Sequence, residues 1–359
     1  MLPYLQQDFY NPSALYLAAK NVKNKLENYR SVAADMLQVR PLEIYFTAGS
    51  TEANNTVIHG IMSQYKDAHM IVSSIEHDSV INTASHYNNS LATVDASGLI
   101  VLTKLATIIT DKTVLISCMS ANNEIGTIQL IADIAKIISS IRKERLRQGN
   151  TNPIYLHVDA SQSFNYLPLL PHALGIDFAV VSGSKIYGPK QTAVLFVKNG
   201  IKLDPLIIGG GQERGMRSGT ENAAGIAGLV TAMTEADTMR AEESKRLLPL
   251  SKQLIEGLKT IQPNCVVNGS LKHRLPNNVH VTFNKVDNET LVMQLDEQGI
   301  MVATGSACGA SSDTPSHVLR AIGLADEQAK SSIRITMGRF TTTDNIDYFL
   351  TVLEGILRP

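Results

Sequence analysis

FAVVSGSKIYGPK (residues 178–190) joins a short apolar run to a glycine-rich segment that carries Lys185. Four consecutive apolar residues followed by glycine and proline are typical of a buried strand that ends in a turn. A lysine in such a turn is most often simply solvated, because burying an ammonium costs free energy unless another group uses it. The role of Lys185 therefore depends on what the rest of the chain places around it.

Similar apolar runs recur through the first two thirds of the chain. They are EIYF (43–46), HMIVSSI (69–75), TVLISCM (113–119), IYLHVDA (154–160) and AVLFV (193–197). Amphipathic segments of helical period, such as TEANNTVIHGIMSQY (51–65), separate several of them. This alternation predicts an α/β fold with a mostly parallel sheet, in which ligands bind at the carboxyl ends of the strands.

The last third of the chain has a different pattern. A long charged segment (234–261) predicts a helix, and shorter strand candidates such as NNVHVTF (277–283) follow it. A chain of 359 residues is long enough for about two domains. We therefore expect a large domain over residues 1–240 and a smaller C-terminal domain over residues 241–359.

Composition and charge exclude several classes of function. The net charge of -1 gives no basic surface for nucleic acid or anionic membranes. No run of about 18 apolar residues is present, so we expect no membrane insertion. The cysteines are Cys118, Cys265 and Cys308, without a CxxC pair, which argues against a disulfide framework or a thiolate zinc site. These features favour a cytoplasmic protein with small-molecule partners.

FTAGSTEANN (46–55) follows one predicted strand and opens a helix. Ser50 and Thr51 would lie in its first turn, where free backbone N–H groups and hydroxyls suit a phosphate. Alternatively, one of these hydroxyls only caps the helix.

Three further polar segments follow predicted strands. His77 ends SSIEH, and its ring suits either a structural hydrogen bond or stacking on an aromatic ligand. SANNEIGT offers Asn122 and Asn123, and HVDASQSF offers Asp159 and Gln162. An aspartate at the end of a strand can also serve merely to cap the next turn.

Together with Lys185, these residues form a chemically coherent set. Asp159 and Lys185 would occupy the ends of successive strands and face one pocket. Pyridoxal phosphate requires a lysine that binds it covalently, a carboxylate that keeps its pyridine nitrogen protonated, a stacking ring and a phosphate cup. The sequence therefore favours this cofactor. A nucleotide site is disfavoured, because GGGQERG does not fit the G-x-G-x-x-G spacing.

A longer series of motifs extends the pattern. In order, they are NPS, EIYFTAGSTEANN, EHDSV, NNEIGT, HVDASQS, SGSKIYGPK, GGGQERGMRSGTEN, TGSACGASSDTPSHVLRAIGL and SSIRITMGRFT. Through them the chain resembles, from about Asn11 to Phe340, the NifS/IscS-type cysteine desulfurases of the class V aminotransferase family. The resemblance implies a fold-type I pyridoxal phosphate enzyme, with a mostly parallel seven-stranded sheet and a smaller C-terminal α+β domain.

The resemblance also implies roles for individual residues. Lys185 would carry the cofactor and act as the catalytic base, and Asp159 would contact the pyridine nitrogen. The other implied cofactor contacts are His77 on the ring, Asn123 and Gln162 near the phenolic oxygen, and Thr51 and Ser182 on the phosphate. Thr220 would reach the phosphate of a neighbouring subunit, so a homodimer is implied.

Two residues would define the reaction. Cys308 lies in SACGASSDTPS, a stretch of small polar residues that is typical of a mobile loop, although a lone cysteine is more often buried. Arg334 would hold a substrate carboxylate, as the matching arginine of the family does. The implied reaction converts L-cysteine to L-alanine and leaves a persulfide on Cys308. The sulfur would then pass to an iron–sulfur scaffold or a thiolation protein.

The chain also departs from the family pattern. Ser184 stands where the family usually has a histidine, and the chain begins downstream of the family's N-terminal strand, which borders the substrate. From the second departure we expect cofactor binding with slow turnover. Two alternatives stay open: a related lyase that acts on selenocysteine or cysteine sulfinate, and an inactive homologue that serves as a binding partner.

Overall fold

The computed structural model describes residues 1–283, 285–305 and 315–358. Within these ranges the helices are α1 (Leu2–Gln6), α2 (Leu17–Leu37), α3 (Ser50–Met62), α4 (Asp78–Ala84), α5 (Leu102–Ile108), α6 (Ile131–Arg147), α7 (Pro171–Leu174), α8 (Ala223–Ile261), α9 (Asn288–Glu297), α10 (His317–Ala321), α11 (Asp326–Ala329) and α12 (Thr343–Leu357). The strands are β1 (Ile44–Thr47), β2 (His69–Ser73), β3 (Asn89–Ala92), β4 (Thr113–Ser117), β5 (Tyr155–Asp159), β6 (Phe178–Ser182), β7 (Ala193–Val197), β8 (Val266–Asn268), β9 (Asn278–Thr282) and β10 (Ser332–Thr336). None of the helices among these residues is long and apolar enough to cross a lipid bilayer.

Seven of these strands form one sheet in the order β1-β7-β6-β5-β4-β2-β3. β3, β2, β4, β5 and β6 pair in parallel, whereas β7 runs antiparallel to both β6 and β1. The predicted mostly parallel seven-stranded sheet is therefore confirmed. The direction of β7 is a new feature, because the chain returns at once after β6 instead of crossing over through a helix.

The inner strands are buried on both faces, which explains their continuous apolar sequences. Every residue of β2, β4, β6 and β7 is buried. Helix α3 packs against them through Val57, Ile58 and Ile61, whose side chains are fully excluded from solvent. Full burial of each such side chain contributes about 1.5–3 kcal/mol relative to exposure, so α3 is held firmly on the sheet.

The chain folds into two compact units. The first comprises Met1–Ala92, Leu102–Ser120 and Leu130–Met239 and contains the seven-stranded sheet. The second comprises Thr93–Val101, Ala121–Gln129 and Arg240–Pro359. It contains an antiparallel three-stranded sheet in the order β10-β9-β8.

Candidate active site

The carboxyl edge of the seven-stranded sheet collects the polar residues of the first unit. Strands β1, β2, β4, β5 and β6 run in one direction, so their last residues lie at the same edge. These strands end at Thr47, Ser73, Ser117, Asp159 and Ser182. Ligands of open α/β sheets bind beyond this edge, which makes it the candidate active site.

Helix α3 begins directly after β1 and the short segment 48–49. Gly49 is the N-cap residue, and its φ of 104° lies in the region that favours glycine. No side chain of the described residues caps this helix, so Ser50 and Thr51 do not have the capping role that the sequence left open. Ser50 is half-buried and Thr51 is exposed. The backbone N–H groups of this first turn are suited to an anion, and the two hydroxyls belong to the same turn.

Asp159 ends β5 and is nearly buried, with 7% of its surface exposed. Its Oδ2 atom accepts a hydrogen bond of 2.8 Å from the side-chain amide of Asn54, which lies on α3. Its Oδ1 atom accepts one of 2.9 Å from the backbone N–H of Ser161, so this carboxylate also stabilises the following turn. Because a carboxylate can accept about four hydrogen bonds, Asp159 keeps capacity for a further donor.

His77 is the N-cap residue of α4. Its Nδ1 atom accepts a hydrogen bond of 3.0 Å from the backbone N–H of Ser79 and lies 2.9 Å from the Ser79 hydroxyl. The ring is half-buried. The structural hydrogen bond that the sequence suggested is present, and it is made at Nδ1, in the plane of the imidazole ring.

Lys185 lies in a 3₁₀ turn, Gly183–Lys185, directly after β6. Its side chain is exposed, and no hydrogen bond or ion pair to the described residues involves its ammonium. Gly183 lets this turn pack closely, because a Cβ atom there would contact the Thr192 hydroxyl and lie 2.9 Å from the Pro189 carbonyl oxygen. The turn is therefore closely packed, and the amine at its end is available for chemistry.

Ser182 and Ser184 flank that turn. The Ser182 side chain is buried and its hydroxyl oxygen lies 3.1 Å from that of Ser184, which is exposed. Gln162 is half-buried in the turn after β5. Thr220 is exposed and lines a cavity of the first unit together with Ala48, the residue just before the N-cap of α3.

The remaining sequence-predicted residues belong to the second unit or lie outside the described residues. Arg334, on β10, donates a hydrogen bond of 3.2 Å from Nη1 to the backbone carbonyl of Asn123. Both residues are half-buried. Cys308 lies outside the described residues.

A buried polar cluster that the sequence did not reveal lies behind Asp159. Glu76 is fully buried, and burial together with the negative charge of Asp159 raises the pKa of its carboxyl to about 8. Burial lowers the pKa of His157 to about 4, with Asp159 partly opposing this shift. The His157 Nδ1 atom lies 2.9 Å from the Ser117 hydroxyl. At neutral pH the cluster therefore holds a protonated Glu76 and a neutral His157 beside Asp159.

The donor set at this edge fits pyridoxal phosphate. It supplies a primary amine that has no partner among the described residues, an acceptor carboxylate one strand away, and a helix N-terminus for a phosphate. A pKa of about 8 keeps the buried Glu76 mostly protonated at neutral pH, so Asp159 is the acidic residue of this cluster that is suited to a cationic ring nitrogen.

Comparisons with known proteins agree with this chemistry. The family model described as Aminotransferase class-V matches residues 1–349. A cysteine desulfurase IscS of Methanosarcina thermophila is 42% identical over 100% of this chain and 87% of that protein. Cysteine desulfurase IscS 1 of Archaeoglobus fulgidus is 37% identical over 99% of this chain and 92% of that protein.

Solved structures give the same picture. A NifS-like protein superposes with a TM-score of 0.90 at 30% identity, covering 99% of this chain and 93% of that one. A NifS-like protein from Rickettsia africae superposes with a TM-score of 0.85 at 33% identity, covering 96% and 91% of the two chains.

Proposed function

This chain belongs to the class-V aminotransferase family, and we propose that it is a pyridoxal 5'-phosphate-dependent cysteine desulfurase that converts L-cysteine to L-alanine. The observation that carries the proposal is the exposed Lys185 ammonium at the end of β6, beside the strand that ends in the Asp159 carboxylate. An amine and a carboxylate so arranged match the requirements of this cofactor.

The residues that would hold the cofactor come from five segments of the chain. Lys185 would bind it covalently, and Asp159 would accept a hydrogen bond from its ring nitrogen. His77 would stack on the ring, and Gln162 would lie near its phenolic oxygen. The phosphate would be held by the backbone N–H groups of α3 and by the hydroxyls of Ser50, Thr51 and Ser182. Thr220 would reach the phosphate bound by a neighbouring subunit.

When bound, pyridoxal phosphate supplies an electron sink for the bonds at the substrate Cα atom. The protein places a base and substrate-binding side chains around that Cα atom. Lys185 removes the Cα proton with its amine nitrogen, once this amine is free. Asn123 and Arg334 bind the substrate, with the Arg334 guanidinium on the substrate carboxylate. The buried Glu76, whose pKa is about 8, stays mostly protonated at neutral pH and adds little negative charge beside Asp159.

Cys308 would accept the sulfur. Its thiolate attacks the sulfur atom of the substrate, a new S–S bond forms, and the bond between sulfur and the substrate Cβ atom breaks. The electron pair of that bond stays with the substrate Cβ atom, which takes up one proton equivalent to that of the Cys308 thiol, and the Cα atom regains the proton that Lys185 removed, so L-cysteine and the Cys308 thiol give L-alanine and a persulfide. The persulfide sulfur then passes to an acceptor protein, for which we propose an iron–sulfur scaffold or a thiolation protein.

The proposal also includes the oligomeric state of the protein and its location in the cell. The role of Thr220 requires a second copy of the chain, so we propose a homodimer. A cytoplasmic location suits a mechanism that depends on a reduced cysteine thiol.

Visible absorption of the purified protein with and without L-cysteine tests the proposal directly. We expect a visible band that changes when L-cysteine is added, together with release of alanine. Borohydride reduction followed by peptide mapping should then place the pyridoxyl group on Lys185. A label on Lys190, or no label at all, would contradict the assignment.

Two pairs of variants complete the test. Lys185→Arg should abolish both the label and alanine release, whereas Lys190→Arg, in the same segment, should retain both. Cys308→Ala should retain the label and lose transfer of sulfur to the protein, whereas Cys265→Ala should retain both. Normal desulfuration by Cys308→Ala without added thiol would refute the role of that cysteine.

A further inference from the structure

A continuous hydrogen-bonded chain links the Asp159 carboxylate to the His77 ring. Asn54 Nδ2 donates to Asp159 Oδ2 over 2.8 Å and to Ser79 Oγ over 2.9 Å. Ser79 Oγ in turn lies 2.9 Å from His77 Nδ1. Asn54 is fully buried and Ser79 has 9% of its surface exposed, so bulk water does not compete for these contacts.

The Asp159 carboxylate determines which group donates and which accepts in each hydrogen bond of this series. An ionised carboxylate only accepts hydrogen bonds, so the group of Asn54 that faces it must be the NH₂ and not the carbonyl. The carbonyl oxygen of Asn54 accordingly turns away, and it has no hydrogen-bond partner among the described residues. The same NH₂ group also faces Ser79, so Ser79 Oγ accepts this second hydrogen bond.

The Ser79 hydroxyl proton is therefore left to donate to His77 Nδ1. The backbone N–H of Ser79 donates to the same nitrogen over 3.0 Å. Two donors converge on Nδ1, so this nitrogen presents its lone pair and the ring proton resides on Nε2.

We propose that Ser79 is a positioning residue that holds His77 as the neutral Nε2–H tautomer, with the polarity of the contact set by Asp159 through Asn54. His77 is then a hydrogen-bond donor at Nε2. The use of that donor on the substrate or cofactor side rests on the proposed function, but the tautomer itself does not, because it follows from contacts within the chain.

Nitrogen NMR of histidine side chains in the full-length protein, with and without cofactor, tests the proposal. Selective ¹⁵N-histidine labelling gives signals from nine residues, and the His77 signals are identified by their loss in His77→Gln. We expect the shift pattern of an unprotonated Nδ1 and a protonated Nε2 at neutral pH, already without cofactor. A protonated Nδ1, or a doubly protonated ring, would overturn the proposal.

Variants of Ser79 separate positioning from a general structural role. Ser79→Ala keeps the backbone donor and removes the hydroxyl. The ratio of the Nε2–H to the Nδ1–H tautomer should therefore fall by about 2- to 12-fold, the change expected from the loss of one hydrogen bond. Ser79→Thr restores the hydroxyl and should restore the ratio. The matched control is Ser85→Ala, at the other end of α4, where the hydroxyl donates to the Asn82 carbonyl.

The outcomes distinguish this proposal from the function proposed above. An unchanged tautomer ratio in Ser79→Ala would overturn the positioning role even if the protein is a cysteine desulfurase. A shifted ratio that Ser79→Thr restores would support it even if no alanine is released. If Ser79→Ala does not fold, the tautomer of the unaltered protein still decides whether His77 is held as proposed.

Discussion

Replacing Glu76 by glutamine should make the protein more resistant to unfolding as the pH rises. Glu76 is fully buried, and its pKa of about 8 lies well above the ordinary value of 4.5 because of burial and the nearby charge of Asp159. The other groups that face its carboxyl are the backbone of Met119 and His77 and the Ser117 hydroxyl, which partly oppose the rise. Glutamine has nearly the same shape and does not titrate.

The sign follows from proton binding. Between pH 4.5 and pH 8 the folded protein keeps the Glu76 proton while the unfolded chain loses it. Stability contributed by this group is therefore fully present below pH 4.5 and is lost as the pH rises, by up to about 1.4 kcal/mol for each pH unit. From about pH 5.5 to about pH 7.5 the loss amounts to about 2 to 3 kcal/mol.

Urea unfolding of the cofactor-free protein at these two pH values measures the effect. The free energy of unfolding of Glu76→Gln, relative to the unaltered protein, should increase by about 2 to 3 kcal/mol between the lower and the higher pH. Glu256→Gln is the matched control, because it removes an exposed carboxyl from α8. If Glu76→Gln and the unaltered protein show the same dependence on pH, the assignment of a protonated Glu76 is wrong.

Three further predictions concern other parts of the chain. Glu213→Gln should lower the free energy of unfolding, measured with urea, by about 3–5 kcal/mol, because the carboxylate forms a buried ion pair of 2.8 Å with Arg30. The double variant Arg30→Met, Glu213→Leu should recover much of this loss, because it leaves no buried charge without a partner. Gly183→Ala should cost about 1–3 kcal/mol, measured in the same way, since the added methyl group meets the Thr192 hydroxyl; an unchanged midpoint would show that the turn relaxes freely. Arg334→Lys should lower kcat/KM for L-cysteine by about 10- to 100-fold, mainly through KM, because a lysine cannot bind a carboxylate with two parallel hydrogen bonds; a change in kcat alone would argue against this role.

The fold was largely predictable because its signal is local. Apolar runs such as those of β4 and β6 are continuous since these strands are buried on both faces, and the longer segments between several of them have helical period. The direction of β7 was not predictable, because AVLFV has the same composition as a parallel strand. Likewise, nothing in segment 121–129 indicates that it belongs to the unit formed by the C-terminal third of the chain.

The site was predictable only in part, for a physical reason. Asp159 and Lys185 follow apolar runs directly, so their positions at strand ends can be read from the sequence. Glu76 and Asn54 are polar residues that are fully buried, and polar residues are ordinarily exposed. Their sequence signal is weak: Glu76 lies three residues beyond the end of the apolar strand β2, and Asn54 lies on the helical face that packs against the sheet.

The antiparallel pairing of β6 with β7 has a consequence for the order of folding. Only residues 183–192 separate these two strands, whereas β1 and β7 are joined across most of the first unit. Closing a short loop costs less entropy, and local pairings form fastest, so we expect the β6–β7 hairpin to form before the sheet is complete. The turn that carries Lys185 would then form before Asp159 and α3 pack beside it, and pulse-labelling hydrogen exchange should show early protection at Val181 and Val194, which pair across β6 and β7, and later protection at Tyr45. Simultaneous protection of all three amides would refute this order. With this order of folding, the turn that carries the Lys185 amine forms while the other residues of the pocket are still unfolded. The cofactor would therefore bind covalently only after the long-range contacts of the sheet have formed.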